Sequence, residues 1–389
     1  MIKRTLSNTL LGLSQNYPVV FLTGPRQSGK TTLLKSLFPG LPYVSLEDPD
    51  TFILANEDLR GYLANYPEGA VIDEAQRIPQ IFSYLQGIVD DKPEVRFILS
   101  GSQNFLLMSQ ISQSLAGRAA VLNLLPLSME EMQAAGLGFS SYEDAIYKGL
   151  FPRIYDRHLE PYEFYPSYLN TFVERDVRQL QNIGDLSTFT RFVRLCAGRV
   201  GQVLNVSSLA TDAAISPNTA EAWLAVLEAS FILFRLMPHH KNFNKRIIKR
   251  PKLYFYDTGL AASLLFIESR QQLDTHYAKG ALFENLIISE FLKYRLNRGR
   301  QPNLYFWRDN HGHEVDCVLD HAGELTPVEL KSGKTMNKSY FDGLKYWNNL
   351  TGHPLEKSYV VYGGEQSLST GIGQLLSWRD ALRAMPPPA

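Results

Sequence analysis

Nine consecutive residues near the start of the chain, Gly24-Pro25-Arg26-Gln27-Ser28-Gly29-Lys30-Thr31-Thr32, contain the full spacing GxxxxGK[ST]. The chemistry of a phosphate cradle explains it. Glycines let the backbone wind tightly enough to aim successive N–H groups at phosphate oxygens, and a helix beginning at Gly29 adds its positive end. Lys30 then reaches the outer phosphates, and the Thr31 hydroxyl can ligate magnesium. Such a site needs a carboxylate at the end of a neighbouring strand. Ala70-Val71-Ile72-Asp73-Glu74 supplies Asp73 at the Walker B position, and Glu74 directly after it suits a general base that polarises the attacking water. Ser100, in Ser100-Gly101-Ser102, closes another apolar run and can place a hydroxyl near the outermost phosphate.

A second group of chemistry-bearing residues lies near the other end. Asp316 stands in Glu314-Val315-Asp316-Cys317-Val318-Leu319, and thirteen residues on, Pro327-Val328-Glu329-Leu330-Lys331 presents Glu329 and Lys331 on one side of a strand. Two carboxylates and a lysine on adjacent strands are what metal-dependent phosphodiester cleavage requires: acids to hold magnesium, a metal-bound hydroxide, and a cation to stabilise developing charge. Glu284, in an upstream helix, can complete the shell. His311 and His313 lie nearby, either metal-linked or solvated.

The elements that must position these residues follow from the apolar pattern. Val19 to Leu22, Leu41 to Leu46, Ala70 to Ile72 and Arg96 to Leu99 read as strands, with helices over residues 31–38, 51–66 and 78–91 between them. Alternation of this kind predicts a parallel sheet covered on both faces. Residues 1–15 read as a short helix with Leu6, Leu10 and Leu13 on one face. From 141 to 235 the pattern turns helical, without a convincing strand. Ser216 and Pro217 mark the start of a helix over 218–230, whose spacing from the helix over 206–214 resembles a helix-turn-helix within a winged helix. That second helix has two glutamates and no Lys or Arg, which suits packing better than base readout. A helix from Gly280 to Leu296 and strands at 304–308, 314–319 and 327–330 follow.

The motif order GPRQSGKTT, VIDEAQ, FILSGS, LAGR and LLPLSMEE resembles a bacterial and archaeal family of AAA-type ATPases that carry a C-terminal domain of uncharacterised function. The likeness extends through GLFPRIYD, RDVRQL and PKLYFYDTGL. It implies that Lys30 and Thr31 bind ATP and magnesium, that Asp73 holds the metal and that Glu74 activates water. It also puts Arg118, in LAGR, where such ATPases offer an arginine to a γ-phosphate, a neighbouring copy's included; a helix-end partner is the plainer role for that arginine. The terminal pattern of Glu284, Asp316, Glu329 and Lys331 resembles the PD-(D/E)XK nuclease superfamily, with Val315 where proline commonly precedes the aspartate.

Composition sets the bounds. The 389 residues predict two or three domains, and 44% hydrophobic and 20% charged residues exclude wholesale disorder. No apolar run is long enough to span a membrane, the N-terminus makes a poor signal peptide, and Cys196 and Cys317 offer neither a zinc spacing nor a disulfide framework, so a cytoplasmic protein is expected. Net charge is zero, yet residues 235–308 hold 14 basic against 5 acidic side chains. Within them, His239 to Lys252 has six Lys/Arg and no acid, either a basic wing for phosphates or a solvated loop. The reading is an α/β chain in three parts: a P-loop, AAA-like ATPase domain over 1–140, a helical winged-helix-like connector over 141–250 and a restriction-endonuclease-like domain over 251–389. The expected function is ATP hydrolysis coupled to DNA binding or magnesium-dependent DNA cleavage, with RNA as another substrate and a homo-oligomer if Arg118 works across a boundary. The competing class is a nucleotide-driven switch that binds protein partners through a silent nuclease-like fold.

Overall fold

The computed structural model describes residues 2–102, 115–178, 183, 185–239 and 248–386. The chain divides into two compact units. The first comprises Met1–Gly136, Ala229–Phe231 and Arg295–Arg300, and the second comprises Leu137–Glu228, Ile232–Tyr294 and Gln301–Ala389.

The first unit is built on β1 (Val19–Thr23), β2 (Tyr43–Ser45), β3 (Gly69–Asp73), β4 (Arg96–Gly101) and β5 (Ala119–Asn123), in the order β2-β3-β4-β1-β5 with every pairing parallel. Strand alternation divides the central residues between two cores. Val19, Phe21, Ala70, Ile72, Phe97 and Leu99 pack with Phe82 and Leu85 of the helix Ile81–Asp91. Val20, Leu22, Val71 and Ile98 pack on the other face with Leu6 and Leu10 of the helix Leu6–Asn16 and with Leu33 and Leu34 of the helix Lys30–Leu37. Burial on both faces is what makes these strands continuous apolar runs. The stretch expected as one helix over 51–66 is two, Pro49–Glu57 and Leu59–Ala64. Asp58 ends the first and caps the second, accepting from the Gly61 N–H at 2.9 Å.

The second unit opens with helices and closes with a mixed sheet. The helices Leu186–Ala197, Val206–Ala213 and Pro217–Ala229 are followed by β6 (Leu233–Leu236) and β7 (Lys252–Phe255), paired antiparallel, so the expected strand-free region ends in a strand. Ser216 does cap its helix, accepting from the Thr219 N–H at 3.0 Å. The pairing of β6 with β7 straddles residue 250, and the residues expected as connector and as terminal domain fall almost wholly within this one unit. Two of the family-like motifs meet at Asp257. It caps the helix Thr258–Leu264 and accepts from the Leu150 N–H and the Tyr165 hydroxyl, both at 2.7 Å. Beyond the helix Lys279–Leu296 come β8 (Leu304–Arg308), β9 (Glu314–His321), β10 (Glu324–Lys331), β11 (Tyr359–Tyr362), β12 (Leu368–Thr370) and β13 (Gly373–Ser377). Their order is β12-β13-β11-β10-β9-β8, with parallel pairs only at β10-β11 and β11-β13. Among the described residues no helix is long and apolar enough to cross a membrane.

Candidate functional sites

The strand order sets β1 between β4 and β5, and the glycine-rich loop leaves the C-terminal end of β1, where open parallel sheets bind ligands. At Gly24, with φ +150°, a Cβ would overlap the Leu124 carbonyl oxygen. Gly29, at φ +93°, turns the chain into the helix behind it. Lys30 is buried and donates to the carbonyl oxygens of Gly24 and Pro25 at 2.8 and 2.9 Å, while Arg4 donates to that of Ser28 at 2.7 Å. Thr32 lies exposed on the following turn.

Three hydroxyls converge on Asp73. Thr31 and Tyr43 each donate to Oδ2 at 2.7 Å, and Ser100 donates to Oδ1. Burial pushes the Asp73 carboxyl up, but the bonds from Ser100, Tyr43 and Thr31 and the charge of Lys30 outweigh it and hold the group below its ordinary range. Thr31 and Asp73 are the oxygen donors a hard divalent cation takes. Among the described residues the buried hydroxyls of Thr23, Ser28 and Ser102 have no protein partner, so the ends of β1 and β4 and the loop between β1 and its helix carry polar atoms for a phosphate and its waters to satisfy. Glu74 has a left-handed backbone, φ +58°, unusual for a residue with a side chain. Its carboxylate accepts from Gln76, and burial raises it above the ordinary range despite the opposing charge of Lys30.

Arg118 is placed differently. It immediately precedes β5, whose first residue pairs with Val19, the first residue of β1. In a parallel sheet that is the end opposite the loop, about 16 Å away at 3.3 Å per residue. Its guanidinium pairs with Asp90, Nη2 to Oδ2 at 3.0 Å. Arg118 therefore does not reach a phosphate bound by its own chain. Arg118→Ala should leave the ATPase rate at dilute protein within about twofold of the parent, as expected for an exposed ion pair, measured by phosphate release.

In the second unit, Glu314 and Asp316 of β9 share a face, and the antiparallel pairing with β10 brings Glu329 and Lys331 beside them. Lys331 Nζ is 2.6 Å from Glu329 Oε1 and 3.6 Å from Asp316 Oδ2, and the Leu330 N–H donates to Asp316 at 2.9 Å. Glu284 joins this group through Lys252, a residue the spacing did not single out. Lys252 Nζ lies 2.8 Å from Glu284 Oε1, also pairs with Glu314, and is 3.9 Å from Asp316 Oδ1. Burial pushes Lys252 down, yet Glu284, Asp316 and Glu314 together hold it above its ordinary value as an ammonium. Burial raises Glu284 to about 7, and burial with the Asp316 charge raises Glu329 to about 8. Among the described residues no group of three His, Cys, Asp or Glu side chains is arranged to hold a metal ion. His313 instead bonds Asp309 at 3.0 Å and stacks on Tyr346.

At least six of the fourteen basic residues within 235–308 are spent on ion pairs inside the fold. Arg235, Lys252, Lys279, Lys293, Arg298 and Arg308 are all in ion pairs, Lys293 with Glu290 of its own helix and the others with acids of other elements or turns. Arg235 pairs with Glu221 and Glu228, the two glutamates of the would-be recognition helix. The core of the basic run, residues 240–247, lies outside the described residues.

Comparison with known proteins matches an AAA domain to residues 16–133, a domain of unknown function (DUF8612) to 139–271 and a second (DUF4143) to 279–380. The Walker-type ATPase PABY2304 of Pyrococcus abyssi is a similar solved structure at TM-score 0.46 and 16% identity, covering 68% of this chain and 96% of that one. Two uncharacterized mycobacterial proteins, Rv2008c of Mycobacterium tuberculosis and Mb2031c of Mycobacterium bovis, are each 32% identical over 357 residues, covering 90% of this chain and 77% of theirs. With its AAA domain at the N-terminal side, the chain belongs to the family of these two mycobacterial proteins.

Proposed function

We propose that the chain hydrolyses ATP and uses the nucleotide state to switch the binding of a protein partner, with the carboxylate cluster of the second unit catalytically silent. The observation that carries the hydrolytic part is the convergence of Thr31, Tyr43 and Ser100 on Asp73, beside Lys30 and Glu74. In this reading Lys30 exchanges the loop carbonyls for phosphate oxygens, and Gly24 to Thr32 wrap the phosphates. Thr31 and Asp73 would hold magnesium, which supplies charge neutralisation when bound. Glu74 takes the proton of the attacking water, and Ser100 sits toward the γ-phosphate. Silence of the cluster is supported by Lys252, seated among acids that a metal would need.

A second reading keeps the cluster active: ATP gates cleavage of DNA, or of RNA, with Asp316, Glu284 and Glu329 as metal ligands and Lys331 as the charge stabiliser. The shared face of Asp316, Glu329 and Lys331 favours it, as does the helix-helix-helix-hairpin order ending in β6 and β7, which suits a winged-helix-like connector. Arg118 enters either reading only across a boundary between copies. The test incubates the protein with linear, circular and single-stranded DNA and with RNA, with magnesium or manganese, with and without ATP, beside Lys30→Ala and Asp316→Ala. The expected result is ATP hydrolysis that Lys30→Ala removes, and intact nucleic acid in every lane. Cleavage that vanishes in Asp316→Ala overturns the switch reading and establishes the nuclease.

A further inference from the structure

Metal-dependent cleavage asks the cluster of Glu284, Glu314, Asp316 and Glu329 to accept a divalent cation, and the residues present do not fit one. The centre of the cluster is taken. Lys252 Nζ is within 2.8 Å of Glu284, in contact with Glu314 and 3.9 Å from Asp316, so three carboxylates, one on the helix Lys279–Leu296 and two on β9, already share one cation. Around them, Lys331 pairs with Glu329 at 2.6 Å and Arg308 with Glu314 at 3.2 Å. Three positive side chains thus face four carboxylates, leaving little net negative charge to attract a metal. A divalent ion also needs oxygens at about 2.0–2.6 Å and at least six of them, mostly from the protein or water. Here an ammonium stands among the acids instead, 2.8 Å from Glu284 and 3.9 Å from Asp316.

The lysine is delivered by a fixed backbone. Lys252 is 3% exposed and is the first residue of β7. It pairs with Leu236 of β6 on one side and bridges to Val203 on the other, and the Leu253 N–H donates to the Gln202 carbonyl at 3.2 Å. Two residues on and on the same face, Tyr254 donates its hydroxyl to Glu284. The ammonium is therefore carried by a buried, hydrogen-bonded strand, and a displacement of β7 would withdraw it from the acids.

We infer that Lys252 is a tethered cation that occupies the metal position among Glu284, Glu314 and Asp316, and that the cluster takes up a divalent metal only when that ammonium is withdrawn. The inference rests on the second reading's assignment of these acids as a nuclease-like site, and it specifies how that site is held off. β7 becomes the element whose displacement would open it.

The test reads metal binding directly. The full chain carrying Asp73→Asn, which removes the acid of the nucleotide site, is titrated with manganese alone, and free manganese is followed by its paramagnetic resonance signal. The expected result is no site in this parent and one site in the Lys252→Gln variant, at least about tenfold tighter than any parent binding, since removing one partner exposes unpaired buried acids. That site disappears when Asp316→Asn is added, and Lys252→Arg, which keeps the charge, does not gain it. Circular dichroism checks folding, and Lys252→Met, which keeps every acid and fills the space with an unbranched apolar chain, serves if the glutamine variant unfolds. Manganese bound by the parent and lost with Asp316→Asn overturns the tethered cation while leaving the nuclease-like site standing. A folded Lys252→Gln variant, or a folded Lys252→Met in its place, that binds none overturns the inference. If the nucleic-acid lanes then show Asp316-dependent cleavage, the nuclease-like assignment survives without it; if they show none, that assignment falls as well.

Discussion

Glu74→Gln is expected to lower kcat for ATP hydrolysis by about 10²-fold or more, the usual contribution of a positioned base, while ATP affinity stays within about threefold, since in the proposed site the phosphate contacts come from Lys30, Thr31 and the loop amides. Three observations converge on this residue. It follows Asp73, on which three hydroxyls converge at the end of β3, its backbone is left-handed, and its carboxyl is raised by burial. A left-handed side-chain residue costs free energy, and such strain persists where geometry matters for function. The raised carboxyl fixes the sign of two further effects. A base works only when ionised, so kcat of the parent should fall as pH drops through the raised value, and that limb should be absent in Glu74→Gln. Stability moves the other way: a carboxyl raised on folding contributes stability below its unfolded value and loses it as pH rises through the folded value. Glutamine removes that loss, so the variant should melt higher than the parent at neutral pH. A rate loss accompanied by a lower melting temperature would instead assign Glu74 to packing. Steady-state phosphate release and thermal melts across pH 5–9 decide between them.

The nucleotide site was legible because its information is local. An apolar strand, a glycine-rich turn and a helix start lie within twenty residues, and β3 ends directly in its two acids. β5 was missed for a physical reason. Ala119–Asn123 is an edge strand with alternating burial and two alanines, so it has neither the continuous apolar run of β1 nor strong branching. The cluster in the second unit was half legible. Alternation within β9 and β10 put Asp316, Glu329 and Lys331 together, but Lys252 belongs to a basic run whose average character describes solvent-exposed side chains. Its position at the head of Leu253-Tyr254-Phe255, a fully buried strand, was the available signal. Arg118 shows the opposite case: motif order located it along the chain, whereas only the register of β5 on β1 shows which end of the sheet it occupies.

Arg4→Met is expected to destabilise the first unit by about 3 kcal/mol, the scale for breaking a buried ion pair from one side, and to lower its melting temperature by roughly 10 °C for a unit of this size. Nothing in the sequence around Arg4 announces this. Its guanidinium is buried and forked between the Glu131 carboxylate at 3.1 Å and the carbonyl oxygens of Ser28 and Leu125 at 2.7 and 2.6 Å. Glu131 in turn accepts from the Thr5 N–H at 2.7 Å and closes the capping box of the helix Met129–Ala134. One side chain therefore ties the N-terminal helix and the segment after β5 to the phosphate loop. Arg4→Lys should recover only part of the loss, because a single ammonium cannot reproduce a planar fork aimed at three oxygens. The double variant Arg4→Met/Glu131→Met separates two roles. Replacing both partners removes the uncompensated charge, so much of the stability should return. The bond to the Ser28 carbonyl does not return, and ATP affinity should stay about three- to tenfold weaker, on the scale of one ordinary net hydrogen bond acting through the loop. Full recovery of both quantities would make Arg4 a structural ion pair alone, with no part in setting the loop.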